Sequence, residues 1–444
     1  MRYSLPALNT QSTLSRIRSP RAVDFDSAMT ATNSSRRTFL KTSAIAGAAY
    51  IAGSPAFAGP LRDSVIVVGA GAFGGWSALQ LLRRGAKVTL LDAWGPGNSR
   101  ASSGGETRVI RATYGPVGIY TRMVARALRL WQENEQRWNL KLFFRTGALR
   151  MAGADDSYER AALPLLKEAG VRFEKLSTAD CAKRWPQMNF EDVSWSIYEP
   201  DSGYLAARRG CEAVLDAFLK EGGQYRQAQA SPGPIAANRM QGITITPREV
   251  LNADHYVFAC GPWLGKVFPF LVPMITPTRQ EVFFFGTAAG DLRFTDAQLP
   301  VWIDGGRHPL GTEHLYYGIP GNHWRGFKIA DDARGPVVDP TAMERQISDE
   351  GLAAARAYLR LRFPAMAGAP LVESRVCQYE NSTDHNFILD RHPEAENVWI
   401  AGGGSGHGFK HGPVMGEMVS NAVLGLKAPP SEMSLGRLLK KNSS

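Results

Sequence analysis

The chain has little cysteine, no long basic block and no internal repeat. Its 444 residues include four cysteines, Cys181, Cys211, Cys260 and Cys377, and their spacing suits no metal. Outside the N-terminal region no long apolar run occurs, so no stable membrane anchor is expected. The absence of long basic runs and of aromatic–basic alternation argues against nucleic acid as a partner. Half of the formal charge of +10 belongs to residues 1–58. Without residues 1–58, the remaining 386 residues carry 44 basic and 39 acidic side chains, a net of +5.

That N-terminus has an ordered pattern of its own. Ser35-Arg36-Arg37-Thr38-Phe39-Leu40-Lys41 is a twin-arginine motif. A modestly apolar stretch, Thr42 to Ser54, follows, and then the small-x-small site Ala56-Phe57-Ala58. The order predicts a signal peptide over 1–58, the twin-arginine export machinery as a partner, and a periplasmic or secreted product. A disordered basic tail is the plainer alternative. Met29 stands six residues before Ser35 and is the expected start of translation. Export to an oxidising space permits a disulfide but pairs no particular cysteines.

The most informative segment is Val65-Ile-Val-Val-Gly69-Ala-Gly71-Ala72-Phe73-Gly74, followed by an apolar helical stretch and Val88-Thr-Leu-Leu-Asp92. It is a G-x-G-x-x-G turn between two predicted strands, with a helix inside and an acid at the end. Gly69 permits the tight turn, Gly71 lets the backbone approach a pyrophosphate, and Gly74 lets helix and strand pack closely. The helix N-terminus offers N–H groups to phosphate oxygens. Asp92 is placed to accept from a ribose hydroxyl, so an ADP-containing dinucleotide is the expected ligand.

Further along, helical periodicity covers Tyr120–Trp138, Arg209–Lys220 and Met343–Phe363, and a last helix is expected from Pro413 to Leu426. Asp254 to Trp263 reads as a buried strand ending in a turn at Gly261, and Asn397 to Gly402 as another. Tyr225 to Pro247 reads as short strands with turns. Gln280–Phe285 and His314–Ile319 read as antiparallel strands. From about Lys427 the chain reads as a mobile tail. The predicted fold is α/β, α+β overall. A discontinuous Rossmann-like dinucleotide domain would carry an antiparallel-sheet domain inserted in pieces.

Several other segments bear on chemistry: Gly105-Glu-Thr-Arg108-Val-Ile-Arg111, Tyr316 to Lys328, Cys377-Gln-Tyr379, Phe387 to Pro393, and Gly404-Ser-Gly-His-Gly-Phe-Lys410. With the glycine turn, they resemble the monomeric sarcosine oxidase branch of the D-amino-acid-oxidase superfamily, from about Leu61 to Leu426. That branch includes oxidases of N-methyltryptophan, pipecolate and fructosyl amino acids. The resemblance implies FAD as cofactor, a small amino-acid substrate, oxygen as co-substrate, and a monomer. It implies an FAD domain over 59–141, 207–276 and 378–432, a substrate domain over 142–206 and 277–377, and a tail over 433–444.

The resemblance also assigns residues. Cys377 matches the cysteine that bonds covalently to the flavin; a buried structural cysteine is the commoner fate. Arg111 and Lys410 match the pair that holds the substrate carboxylate, a fork and a point charge suited to that group. Arg108 matches an arginine lying against the flavin, or is an ordinary ion-pair partner. Lys328 matches the lysine that stabilises superoxide as oxygen is reduced; its alternative is an exposed lysine on a strand. Tyr317 borders the substrate or is a core aromatic. Gly69, Gly71, Ala72, Phe73, Gly74, Asp92, Gly261, Gly406, His407, Gly408 and Phe409 complete the expected cofactor set.

Two departures stand out. Sarcosine oxidase has a histidine four residues after the Lys328 position, where this chain has Asp332. The stretch before Arg108 commonly holds a histidine, and here it reads Ser102-Ser103-Gly104-Gly105. Both count against sarcosine itself. Asp332 in the pocket would favour a cationic or hydroxyl-rich amine substituent; otherwise it turns outward at a strand end. The expected activity is oxidation of N-substituted or cyclic amino acids with formation of hydrogen peroxide. The alternatives are a dehydrogenase feeding a respiratory carrier and a flavin-binding interaction module without turnover.

Overall fold

The computed structural model describes residues 63–305, 311, 314–321 and 325–439. The twin-arginine motif and cleavage site therefore lie outside the described residues. Two large sheets dominate. The first has six strands and is built on β1 (Ser64–Val68), α1 (Ala72–Arg83) and β2 (Lys87–Asp92). β1 pairs in parallel with β2 on one side and with His255–Phe258 on the other. Gln224–Gln227 extends the sheet beyond β2, and Ala395–Gly402 extends it beyond His255–Phe258, both in parallel. Only the edge strand Ile388–His392 is antiparallel. Burial on both faces explains why Ser64–Val68 and His255–Phe258 read as apolar runs without alternation, whereas the edge strand Gln224–Gln227 is polar and mostly exposed.

The second sheet has eight strands, ordered Leu371–Ser382, Ile275–Phe285, Phe327–Asp331, Tyr316–Ile319, Val301–Asp304, Ala148–Ala152, Trp195–Glu199 and Glu174–Ser177. All neighbours are antiparallel except Val301–Asp304 with Ala148–Ala152. The two sheets draw on alternating stretches of chain. Leu371–Ser382 runs unbroken across 377/378, where a domain boundary was expected.

Three expected elements differ. The helix expected from Met343 begins at Asp349, because the Ser348 hydroxyl accepts from Gly351 N and caps it. The helix expected to reach Leu426 ends at Val423, and Gly425 turns left-handed (φ +66°) just beyond. The expected mobile tail is packed: Met433, Leu435 and Leu438 are buried, and Arg437 pairs with Asp384 at 2.8 Å. All four cysteines are free thiols.

Candidate functional site

A cavity of about 680 Å³ opens at the C-terminal ends of β1 and β2, a volume typical of ligand sites (about 300–1,000 Å³). The glycine turn forms one wall. A Cβ on Gly69 (φ +105°) would stand 2.3 Å from the carbonyl oxygen of Ala259, and one on Gly74 would stand 1.8 Å from that of Gly69. Neither position tolerates a side chain. A Cβ on Gly71 would meet nothing closer than Ser103 Oγ at 3.7 Å, so this glycine faces the cavity. Gly71 gives α1 no side-chain cap, and only Ala72 N finds a hydroxyl, Ser103 Oγ at 3.3 Å, so further first-turn N–H groups remain for a phosphate. These features fit a dinucleotide.

Asp92 accepts from Ala70 N (2.7 Å), Trp94 N (2.8 Å) and Gly95 N (2.7 Å). Burial raises its pKa, against the pull of those N–H groups. Its oxygens retain lone-pair capacity for a hydroxyl. Gly261, Gly406, Gly408, Phe409, Ala72 and Phe73 also line the cavity. His407 does not. Its ring packs against Phe387 and Tyr120, behind Lys410.

Arg108 and Tyr379 line this cavity and also a second, tiny one of about 10 Å³ that holds Cys377 and Tyr317. Arg108 donates to the carbonyls of Thr107 and Ser102, and its Nη2 lies 3.5 Å from Cys377 Sγ. Lys328 is 2 % exposed and donates to the Thr107 carbonyl at 3.0 Å, so it is not a surface lysine. Its ammonium stands 5.6 Å from the Tyr317 ring centroid. Burial, and after it Arg108, pushes the Lys328 pKa well down, and an anion arriving there would favour its charged form. Burial lifts the Tyr317 hydroxyl to about 12.

Arg111 and Lys410 converge on one tyrosine. The Arg111 guanidinium lies 4.8 Å from the Tyr114 ring centroid and donates to the Thr113 carbonyl. Lys410 Nζ donates to Tyr114 Oη and to the His407 carbonyl, both at 2.9 Å. Among the described residues neither cation forms a salt bridge. Burial, and then Arg111, drives the Lys410 pKa well below its ordinary value. Glu199 fixes the chain beside Arg111 by accepting from Ala112 N, Thr113 N and Thr113 Oγ1.

Asp332 is half-buried, with its carboxylate against Tyr379. It accepts from Tyr379 Oη at 2.6 Å and lies 3.6 Å from Arg334. Burial raises its pKa, against Arg334, Tyr379, Arg111 and Lys410. Its neighbour Asp331 instead bonds His314 and the N–H groups of Leu315 and Ala333. Tyr114, Glu199, Tyr379, Glu380 and His411 had no assigned role in the sequence reading. Period two along a strand puts Tyr379 on the face of Cys377, a signal that was available.

The fold and this cavity define a dinucleotide-dependent enzyme. Residues 64–422 match the family described as FAD dependent oxidoreductase (DAO), and the chain belongs to it. It is 31% identical over 380 residues to the monomeric sarcosine oxidase of Bacillus sp. (strain B-0618), covering 81% of this chain and 92% of that one. It is 29% identical over 391 residues to the N-methyl-L-tryptophan oxidase of Salmonella heidelberg (strain SL476), covering 85% and 99%. Among solved structures, the fold resembles L-proline dehydrogenase from P. horikoshii (TM-score 0.72, 19% identity, 84% and 96% covered). It also resembles the fructosamine oxidase Amadoriase II of Aspergillus fumigatus (TM-score 0.70, 20% identity, 84% and 89% covered). The cofactor is FAD, and the glycine turn, the uncapped α1 and Asp92 are the residues that would hold it.

Glu380 also borders the FAD cavity, 7 % exposed, with Oε1 lacking any hydrogen-bond partner. Burial lifts its pKa to about 7, against the N–H groups of Gly403 and Gly404. The folded protein then holds a proton that the unfolded chain gives up. Stability therefore falls as pH rises from the ordinary glutamate range through about 7. Glu380→Gln should remove that loss. In the FAD-free protein, the variant's gain in unfolding free energy should be near zero at pH ~4 and on the order of 1–3 kcal/mol at pH ~8. Denaturant titrations showing the same gain at both pH values would exclude Glu380 as the titrating group.

Proposed function

We propose that this chain is an exported FAD-dependent oxidase of N-substituted or cyclic amino acids. The observation that carries the reading is the pairing of part-buried Arg111 with buried Lys410, neither with a salt-bridge partner among the described residues. A substrate carboxylate satisfies both and brings the adjacent amine-bearing carbon to a fixed position. FAD, when bound, accepts a hydride equivalent from such a carbon. Water then hydrolyses the iminium product. Lys328, buried beside Arg108 and Cys377, supplies charge stabilisation for the reduction of oxygen to hydrogen peroxide. The names of the relatives, oxidases of sarcosine and N-methyl-L-tryptophan, support the substrate class.

Asp332 narrows the choice. Its carboxylate bonds Tyr379 and lies near enough to Arg111 and Lys410 to act on their charge, and a plain methyl group on the nitrogen would give it no partner. A cationic or hydroxyl-rich substituent on the nitrogen gives it a partner. Arg111→Ala and Lys410→Ala should each weaken carboxylate substrates about tenfold or more, the value of roughly 1.5–3 kcal/mol for a charge-assisted bond. Amide analogues should lose little. A screen of N-methyl, cyclic and fructosyl amino acids, read as oxygen uptake and peroxide, tests the activity. Bleaching of the flavin without oxygen uptake would make the protein a dehydrogenase, and no bleaching by any amine would reduce it to a binding module.

Cys377 is the proposed covalent attachment point. After acid precipitation the yellow colour should stay with the wild-type protein and leave the Cys377→Ala variant; free flavin from the wild type would refute attachment.

Export follows the twin-arginine route, with cleavage after Ala58. Replacing both Arg36 and Arg37 by lysine should leave uncleaved, FAD-loaded protein in the cytoplasm. Undiminished export of that variant would rule the route out.

A further inference from the structure

Tyr114 is the centre of a hydrogen-bond network whose direction is set by one carbonyl. His407 Nε2 lies 3.2 Å from the carbonyl oxygen of His385. A carbonyl can only accept, so Nε2 carries the proton of this imidazole. His407 Nδ1 is then an acceptor, and it takes the Tyr114 hydroxyl proton at 3.2 Å. The Tyr114 oxygen is left to accept, from Lys410 Nζ at 2.9 Å and from His411 Nε2 at 2.9 Å. His411 Nδ1 is consequently a bare lone pair, and it is indeed buried without a partner. The assignment satisfies every atom of the network but that one.

The network runs outward. Lys410 is 5 % exposed, Tyr114 6 %, His407 is half-buried, and His385 is an exposed residue of the loop after Leu371–Ser382. Burial comes first in holding His407 and His411 neutral, and a proton on Lys410 adds to it. A neutral imidazole is the form that both accepts and donates. Lys410 Nζ uses two of its tetrahedral positions on Tyr114 and the His407 carbonyl. The third has no protein partner among the described residues. The charged groups around it are Arg111, Asp332 and Glu199, with Tyr114, His407 and His411 as its other titratable neighbours.

We propose that Lys410 is the base that deprotonates the substrate ammonium, and that Tyr114 and His407 carry the proton to the surface. The inference rests on the amino-acid reading above. An amine must shed its extra proton before its carbon can lose a hydride, because the nitrogen lone pair forms the new C=N bond. The substrate N–H bond breaks and a third Nζ–H bond forms, so the nitrogen gains its lone pair and Lys410 gains its charge. The same transfer completes the cationic clamp on the carboxylate. Resetting moves one Nζ proton to the Tyr114 oxygen, the Tyr114 proton to His407 Nδ1, and the His407 Nε2 proton to water. The balance is one proton released for each amine oxidised. Lys410 is catalytic in this scheme. Tyr114 and His407 act through it.

The test is anaerobic mixing of the FAD-loaded enzyme with its best amine in weak buffer containing a pH indicator. Flavin bleaching and proton release are followed together. In the wild type the two should keep pace. In Tyr114→Phe and in His407→Gln, which retains hydrogen bonding but cannot relay, proton release should lag bleaching, by about 10²-fold for loss of one acid–base group. Proton release that still tracks bleaching in both variants overturns the relay and leaves Tyr114 a mere prop for Lys410. If Tyr114→Phe does not fold, His407→Gln alone decides. Absence of bleaching in the wild type refutes the amine-oxidase reading instead. A second readout needs no turnover: binding of a simple carboxylate such as acetate to wild type should weaken as pH rises through the Lys410 titration. Unchanged binding across that range would show a permanently charged lysine and would also overturn the proposal.

Discussion

Placing an amine and a guanidinium side by side in a largely buried pocket without a bonded anion is costly unless polar groups replace the lost water. The region around Arg111 and Lys410 is arranged around that constraint. The Thr113 and His407 carbonyls and the Tyr114 oxygen accept from the two cations. Glu199 spends both oxygens on backbone and hydroxyl donors, which anchors the chain and keeps its charge from closing a salt bridge with Arg111. Asp332 is near enough to be felt, but its contacts go to Tyr379 and Arg334. The result is a positive pocket held open for an anion.

A single strand, Leu371–Ser382, joins this pocket to the cofactor cavity. Alternation sends Cys377 and Tyr379 to one face and Gln378 and Glu380 to the other. Cys377 and Tyr379 meet Arg108 and Tyr317, while Glu380 reaches the glycine turn at 402–404 and the FAD cavity. The strand belongs to the eight-stranded sheet, yet its far end is fastened to the other sheet's loop by Ser405 N to the Glu380 carbonyl (2.8 Å). Substrate and cofactor surfaces are thereby held in one register.

Much of the cofactor half was legible in the sequence, because its signals are local. The turn from Gly69 to Gly74 and the acid at Asp92 lie within one βαβ unit, and their roles follow from backbone geometry alone. The substrate half was legible only in part. Ala112 and Glu199 are 87 residues apart, and Tyr114 and Lys410 are 296 apart. No spacing rule links such pairs, so Tyr114, Glu199 and His411 remained anonymous. The C-terminal segment was misread for a different reason. The loop-like run Lys427-Ala-Pro-Pro-Ser431 obscured Met433, Leu435 and Leu438, whose burial depends on neighbours far along the chain. The start of the helix at Asp349 likewise depended on a cap, which apolar periodicity does not report.

The order of strands in the first sheet has a consequence in time. The FAD cavity takes one wall from residues 68–73 and another from residues 401–409. Between them lies nearly the whole chain. Residues up to about Phe409 must therefore be synthesised before the cavity can form. A chain whose second wall is still unmade has no complete cavity for flavin, even though the glycine fingerprint is finished by residue 92.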